Sequence, residues 1–180
     1  SNAIELKNSN KNILITHNCI QTSTDTSASE ALMAIYSNNS LDTSLVITYN
    51  YFHGSGGIWI QSASNNYSSY DISITHNILN QFHYYGIYIA YSNVNTISNN
   101  KLYKNPSQGG YGLYINYSNG VMSDITRIIN NTIVGNFTTL AYLNYCFSNH
   151  GTTVADILLA NNEFIQKGNG TYMVYQSYGG

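Results

Sequence analysis

Four aromatic residues recur at one place in a repeated segment: Trp59 in GIWIQSA, Tyr88 in GIYIAYS, Tyr114 in GLYINYS and Tyr142 in LAYLNYC. Two residues on stand Gln61, Ala90, Asn116 and Asn144. Side chains of an extended chain alternate between faces, so the rings and the amides point one way while Ile87 and Ile89, or Leu113 and Ile115, point the other. Stacking such segments puts the rings in a ladder with amides beside it. Aromatic faces offer the C–H groups of a sugar a flat platform and amides bond its hydroxyls, so the chemistry suggested is glycan contact. Cross-strand packing, in which the rings only stabilise adjacent strands, is the competing account. His53 and His83 fall in the segments leading into this face. One could serve as a general base, or both could join a metal site; ordinary polar loop residues are the alternative.

Catalysis has less to stand on. Glycoside hydrolysis uses two carboxylates across the scissile bond, and calcium-assisted lyase chemistry uses clustered ones. With the repeats aligned by their motifs, the ring position reads Met33, Trp59, Tyr88, Tyr114, Tyr142 and Met173. The amide position reads Ile35, Gln61, Ala90, Asn116, Asn144 and Tyr175. Neither row holds Asp or Glu, and only Glu5 of a partial earlier repeat qualifies. Asp71, Asp124 and Asp156 read as turn-capping residues, and Arg127 belongs to another strand. His17 and His76 lie two repeats apart, roughly 9–10 Å by strand spacing, too far to share one metal. No H-E-x-x-H, P-loop, G-x-S-x-G or C-x-x-C motif occurs. The reading therefore assigns no catalytic residue, no metal and no cofactor.

The element that must position these rings is a repeat marked by one asparagine. ILITHNCI, LVITYNYF, ISITHNIL, TISNNKL, RIINNTI and LLANNEF align on Asn18, Asn50, Asn77, Asn100, Asn131 and Asn162. Three residues earlier stand Ile15, Ile47, Ile74, Ile97, Ile128 and Leu159; two residues later, Ile20, Phe52, Leu79, Leu102, Ile133 and Phe164. The apolar period of two and the wealth of Ile, Thr, Val and Tyr argue for strands. Asparagine tolerates the left-handed region and carries both donors and an acceptor, so the reading assigns these residues both a sharp bend and a buried amide ladder. Variation in repeat length is assigned to the single connection between the asparagine and the ring-bearing strand.

Composition sets the outer limits. Charged residues make up 8% of the 180, against about 25% in ordinary domains. A formal charge of −2 without a basic run argues against nucleic acid as a partner. No apolar stretch reaches the roughly 18 residues of a membrane span. Hydrophobic residues at 43% argue against disorder. Cys19 and Cys146 should stand four repeats apart, about 19 Å at a strand spacing of about 4.8 Å, and so remain free thiols. Ser1-Asn2-Ala3 reads as the remnant of an expression tag, leaving 4–180 as a solenoid and, on this reading, a fragment of a longer one.

The pattern I-x-x-N-x-I, a loop, then G-I-x-I-x-x-S resembles the parallel β-helix repeat of the pectin-lyase-like superfamily, including its carbohydrate-binding and sugar-hydrolase type repeats. It covers residues 4 to 177. The resemblance implies an all-β, right-handed, single-stranded parallel β-helix of about six to seven coils, with substrates lying along the G-I-x-I strand. It also implies a secreted or cell-surface protein whose partner is a polysaccharide. Since the fold hosts many activities, two alternatives stand beside a non-catalytic glycan-contacting module. One is a portion of a polysaccharide lyase or glycoside hydrolase whose catalytic coils lie elsewhere. The other is a purely structural or adhesion stalk.

Overall fold

The computed structural model describes residues 2–8, 10–22, 33–40, 42–54, 56–62, 69–104, 109–118, 125–146, 157–168 and 172–179. They form a parallel β-solenoid of three sheets. Sheet A stacks β1 (Ile4–Leu6), β4 (Ile35–Ser40), β7 (Ile58–Ser62), β10 (Tyr85–Ala90), β13 (Tyr111–Ser118), β16 (Thr139–Cys146) and β19 (Tyr172–Gly179) in that order. Sheet B stacks β2 (Lys11–Thr16), β5 (Thr43–Thr48), β8 (Ser69–Thr75), β11 (Ser92–Ser98), β14 (Thr126–Ile129) and β17 (Ile157–Ala160). Sheet C stacks β3 (Cys19–Gln21), β6 (Tyr51–His53), β9 (Ile78–Phe82), β12 (Lys101–Lys104), β15 (Thr132–Gly135) and β18 (Glu163–Gln166). Each strand pairs with its counterpart one coil away.

All three sheets turn their apolar file inward. Ile47, Ile74, Ile97 and Ile128 of sheet B, Phe52, Leu79, Leu102 and Ile133 of sheet C, and Ile58, Ile87, Leu113 and Ala141 of sheet A are buried in one core. β-branched side chains suit this lumen because their restricted χ1 costs little in a strand and like residues stack on like from coil to coil.

The asparagine ladder lies at the corner between sheets B and C. The Nδ2 of Asn18, Asn50, Asn77, Asn100 and Asn131 each donates to the Oδ1 of the next rung at 2.9–3.1 Å. The same Oδ1 atoms accept the backbone N–H of the preceding rung. A second Nδ2 hydrogen of Asn50, Asn77, Asn100, Asn131 and Asn162 reaches the carbonyl of Ile15, Ile47, Ile74, Ile97 and Ile128, three residues before the previous rung's asparagine. Donors and acceptor are thus spent on backbone as well as on each other. The bend, however, belongs to the residue before each asparagine. His17, Tyr49, His76, Asn99, Asn130 and Asn161 have φ between 53° and 57°. The two tasks assigned to one residue are divided between two: the asparagine side chain links the coils, and the residue before it makes the bend.

Two further expectations need correction. Length varies at two corners rather than one. Tyr91 alone separates β10 from β11, whereas residues 147–156 separate β16 from β17. Only the asparagine corner is constant. The alignment of the first and last ring-bearing strands also moves. Ile35 pairs with Ile58 and Tyr36 with Trp59, so Ile35 is core and Tyr36, not Met33, holds the ring position. In the last coil Tyr142 faces Tyr175 and Asn144 faces Ser177, so Tyr175 replaces Met173. Motif alignment failed there because neither ALMAIYS nor TYMVYQS carries the glycine of GIWIQSA, GIYIAYS and GLYINYS, nor the regular spacing by which LAYLNYC, which also lacks it, follows them. That glycine has a packing reason: a Cβ at Gly57 would stand 2.1 Å from the Tyr85 carbonyl oxygen, and one at Gly86 would stand 2.6 Å from that of Gly112.

Candidate binding face

With the register settled, the outer face of sheet A carries aromatic residues in six successive coils: Tyr36, Trp59, Tyr88, Tyr114, Tyr142 and Tyr175. The side chains of Tyr142, Asn144, Tyr175 and Ser177 lie outside the described residues; their backbone register alone places them in the files. The second file runs Asn38, Gln61, Ala90, Asn116, Asn144 and Ser177. Glu5 stands opposite Tyr36 at the first strand and pairs with Lys7 at 3.3 Å.

The rings stack on one another. Trp59 and Tyr88 have centroids 3.6 Å apart at an interplanar angle of 11°. Tyr88 and Tyr114 are 5.0 Å apart at 5°. Tyr85 and Tyr111, from the strand starts, form a second stacked pair 5.5 Å apart at 11°. This pair meets the first file edge-on, as in Tyr85–Tyr88 at 69° and Tyr111–Tyr114 at 74°. Met33 completes the cluster beside Trp59 and Tyr85. The expected open platform is therefore corrected in one respect: Trp59 is only 9% exposed, and Tyr88 is sandwiched between two rings. Parallel strands impose this, since a file of like residues at strand spacing brings ring face onto ring face. Tyr88 and Tyr114 stay half-exposed on this face, flanked by the half-exposed Gln61 and Asn116.

Polar atoms on this face are unevenly satisfied. Asn38 Nδ2 donates to the Tyr36 hydroxyl at 2.9 Å. Asn38 Oδ1 and Trp59 Nε1 are buried and find no hydrogen-bond partner among the described residues.

The two histidines proposed for this region fall elsewhere or at its margin. His53, expected in a variable loop, is the last residue of β6 on the outside of sheet C, where its ring stacks near Tyr51 and its Nδ1 lies 3.4 Å from Asn80 Nδ2. His83 sits between sheets C and A beside Lys104. Burial, and then the nearby Lys104 charge, lower its pKa. Burial also brings Lys104 down to about 8. Among the described residues no three His, Cys, Asp or Glu side chains gather closely enough to hold a metal ion.

Sequence reasoning passed over several residues. Tyr36 and Asn38 were hidden by the misaligned coil, and Tyr85 and Tyr111 lie one residue before the motif. Asp42 is buried and accepts hydrogen bonds from Asn10 Nδ2 at 2.7 Å and from the Ser37 hydroxyl, tying coils at the corner between sheets A and B. Asp71, read as a turn cap, instead lies within β8 and bridges Ser44 and Asn95 of the coils on either side. At the asparagine corner His17, Tyr49 and His76 stack at 5.2 and 4.7 Å. Together with Cys19, Tyr51 and Ile78 they line an open groove of about 420 Å³.

No family model, curated protein or solved structure gives a significant match to this chain.

Proposed function

We propose that this chain is a non-catalytic β-helix module of a secreted or cell-surface protein, akin to the pectin-lyase-like repeats, that contacts polysaccharide along the outer face of sheet A. The observation that carries this reading is the pairing of two files on one face. A run of aromatic residues stands beside a run dominated by amides, and neither holds a charged residue from the coil of Tyr36 onward. Such a face offers a glycan hydrogen-bonding hydroxyls and amides set in apolar surroundings. Because the ring faces are spent on each other, contact runs through ring edges, phenol hydroxyls and amides. Oligosaccharide titration followed by the fluorescence of Trp59, the only tryptophan, should give a saturable shift. Tyr114→Ala should weaken that binding by about 1 kcal/mol or more, as central interface aromatics commonly do.

The burial of Trp59 and the close stacking of Tyr88 favour a second reading, a structural or adhesion stalk in which the rings serve packing alone. That reading expects no response to any sugar and a loss of stability on removing a ring.

A further inference from the structure

The two unsatisfied atoms of this face sit on neighbouring strands. Trp59 of β7 faces Tyr36 of β4, with ring centroids 6.3 Å apart, and Asn38 is held to the Tyr36 hydroxyl by its amide nitrogen. That bond fixes which way the amide points and leaves its oxygen over. One orphan, Trp59 Nε1–H, can only donate; the other, Asn38 Oδ1, can only accept. Leaving a buried donor and a buried acceptor unmade costs free energy at both, so a partner that answers both is favoured. A hydroxyl does this with one oxygen, since it accepts and donates at once. A carboxylate cannot donate to Asn38, and an ammonium cannot accept from Trp59. The charge next door points the same way: the Glu5 carboxylate stands opposite Tyr36 and its own charge is already balanced by Lys7. An anionic sugar would therefore find Lys7 already engaged by Glu5, and neither outward file offers it a cation.

Resting on the glycan-contact reading above, we propose that Trp59 and Asn38 form a hydroxyl-binding subsite that selects neutral over acidic sugars. The sugar hydroxyl accepts from Trp59 Nε1 and donates to Asn38 Oδ1. Entry requires the half-exposed Tyr36 and Gln61 beside them to change rotamer, a common adjustment at binding surfaces.

The test is calorimetric titration of the whole chain with cellohexaose, mannohexaose and hexagalacturonate, alongside Trp59→Phe, Asn38→Leu and Tyr114→Ala. Melting temperatures without sugar report on folding. At least one neutral hexasaccharide should bind, and hexagalacturonate should bind more weakly. Trp59→Phe and Asn38→Leu should each weaken the neutral ligand about fivefold to tenfold, the loss of one hydrogen bond. Asn38→Asp, which keeps an acceptor, should retain more of the binding than Asn38→Leu. Binding that falls in Tyr114→Ala but is untouched in both subsite variants would overturn the subsite and leave the glycan face standing. Preference for hexagalacturonate would overturn the neutral selection. Binding of none of the three sugars by the unaltered chain would remove both readings.

Discussion

The side chain of Asn77 makes four hydrogen bonds: two donated, to Ile47 O and Asn100 Oδ1, and two accepted, from Asn50 N and Asn50 Nδ2. Asn77→Leu strips partners from buried groups in two coils, each costing about 1–3 kcal/mol, so a total near 3–5 kcal/mol is expected in chemical denaturation. Arg127→Ala, on an exposed position of sheet B, should stay within about ±0.5 kcal/mol. Lys104 poses a different kind of question. Gly135 leaves the space in which its stem packs beside Phe137, since a Cβ there would lie 2.5 and 3.0 Å from the two. Burial lowers the lysine from 10.5 to about 8. Above about pH 8 the folded chain has released this proton while the unfolded chain still holds it, so raising pH favours folding. Stability measured between pH 8 and 9.5 should therefore rise relative to Lys104→Met. The variant should be the more stable at pH 7, where the buried amine is mostly charged. An unchanged difference across that range would show that Lys104 is not desolvated.

At the scale of elements, sheet A depends on how closely its strands can begin. The Tyr85 and Gly86 carbonyl oxygens lie 2.1 and 2.3 Å from where a Gly57 Cβ would stand. Both are backbone atoms and cannot swing aside. Gly57→Ala must push β7 from β10 or bend one of them, at a cost of about 2–3 kcal/mol in thermal or denaturant unfolding. The same shift would disturb the 3.6 Å contact of Trp59 with Tyr88, so tryptophan fluorescence should change together with stability. Register also decides which side chains share a face. A displacement of three residues in the first coil sent Ile35 into the core and brought Tyr36 and Asn38 to the outside. An odd slip exchanges the two faces of a strand, which is why one misplaced coil changed the composition of the whole candidate site.

For the whole molecule, a solenoid couples mainly between neighbouring coils, and its energetics should be close to a sum of nearest-neighbour terms. The ladder makes this measurable. Asn77 and Asn100 share two hydrogen bonds, so the double variant should cost less than the sum of its parts by about 1 kcal/mol or more. Asn50 and Asn131 have two rungs between them and no bond in common, so their costs should add. Equal non-additivity for both pairs would mean that the ladder couples rungs beyond nearest neighbours. The binding face inherits the same one-dimensional logic. Each coil contributes one ring position and one amide position, and a ligand lying along the axis would meet them in sequence.

Six asparagines with apolar residues three before and two after were enough to give strands, a parallel stack and the inward file, because a period of two and a repeat that must bury its face against its neighbours leave few other arrangements. Central ring positions, Trp59, Tyr88, Tyr114 and Tyr142, were legible for the same reason: a glycine or a regular neighbour fixed their phase. The end coils were not, since their phase is set by pairing with the next coil and not by any residue of their own. Nor could sequence tell whether a ring would lie open or stacked. That depends on rotamers chosen when rings one strand spacing apart meet face to face, and on Met33 and Tyr85 closing over Trp59. The two orphaned atoms of Trp59 and Asn38 are likewise a product of packing: an indole and an amide acquire an unmet bond only when neighbouring coils bury them without answering it.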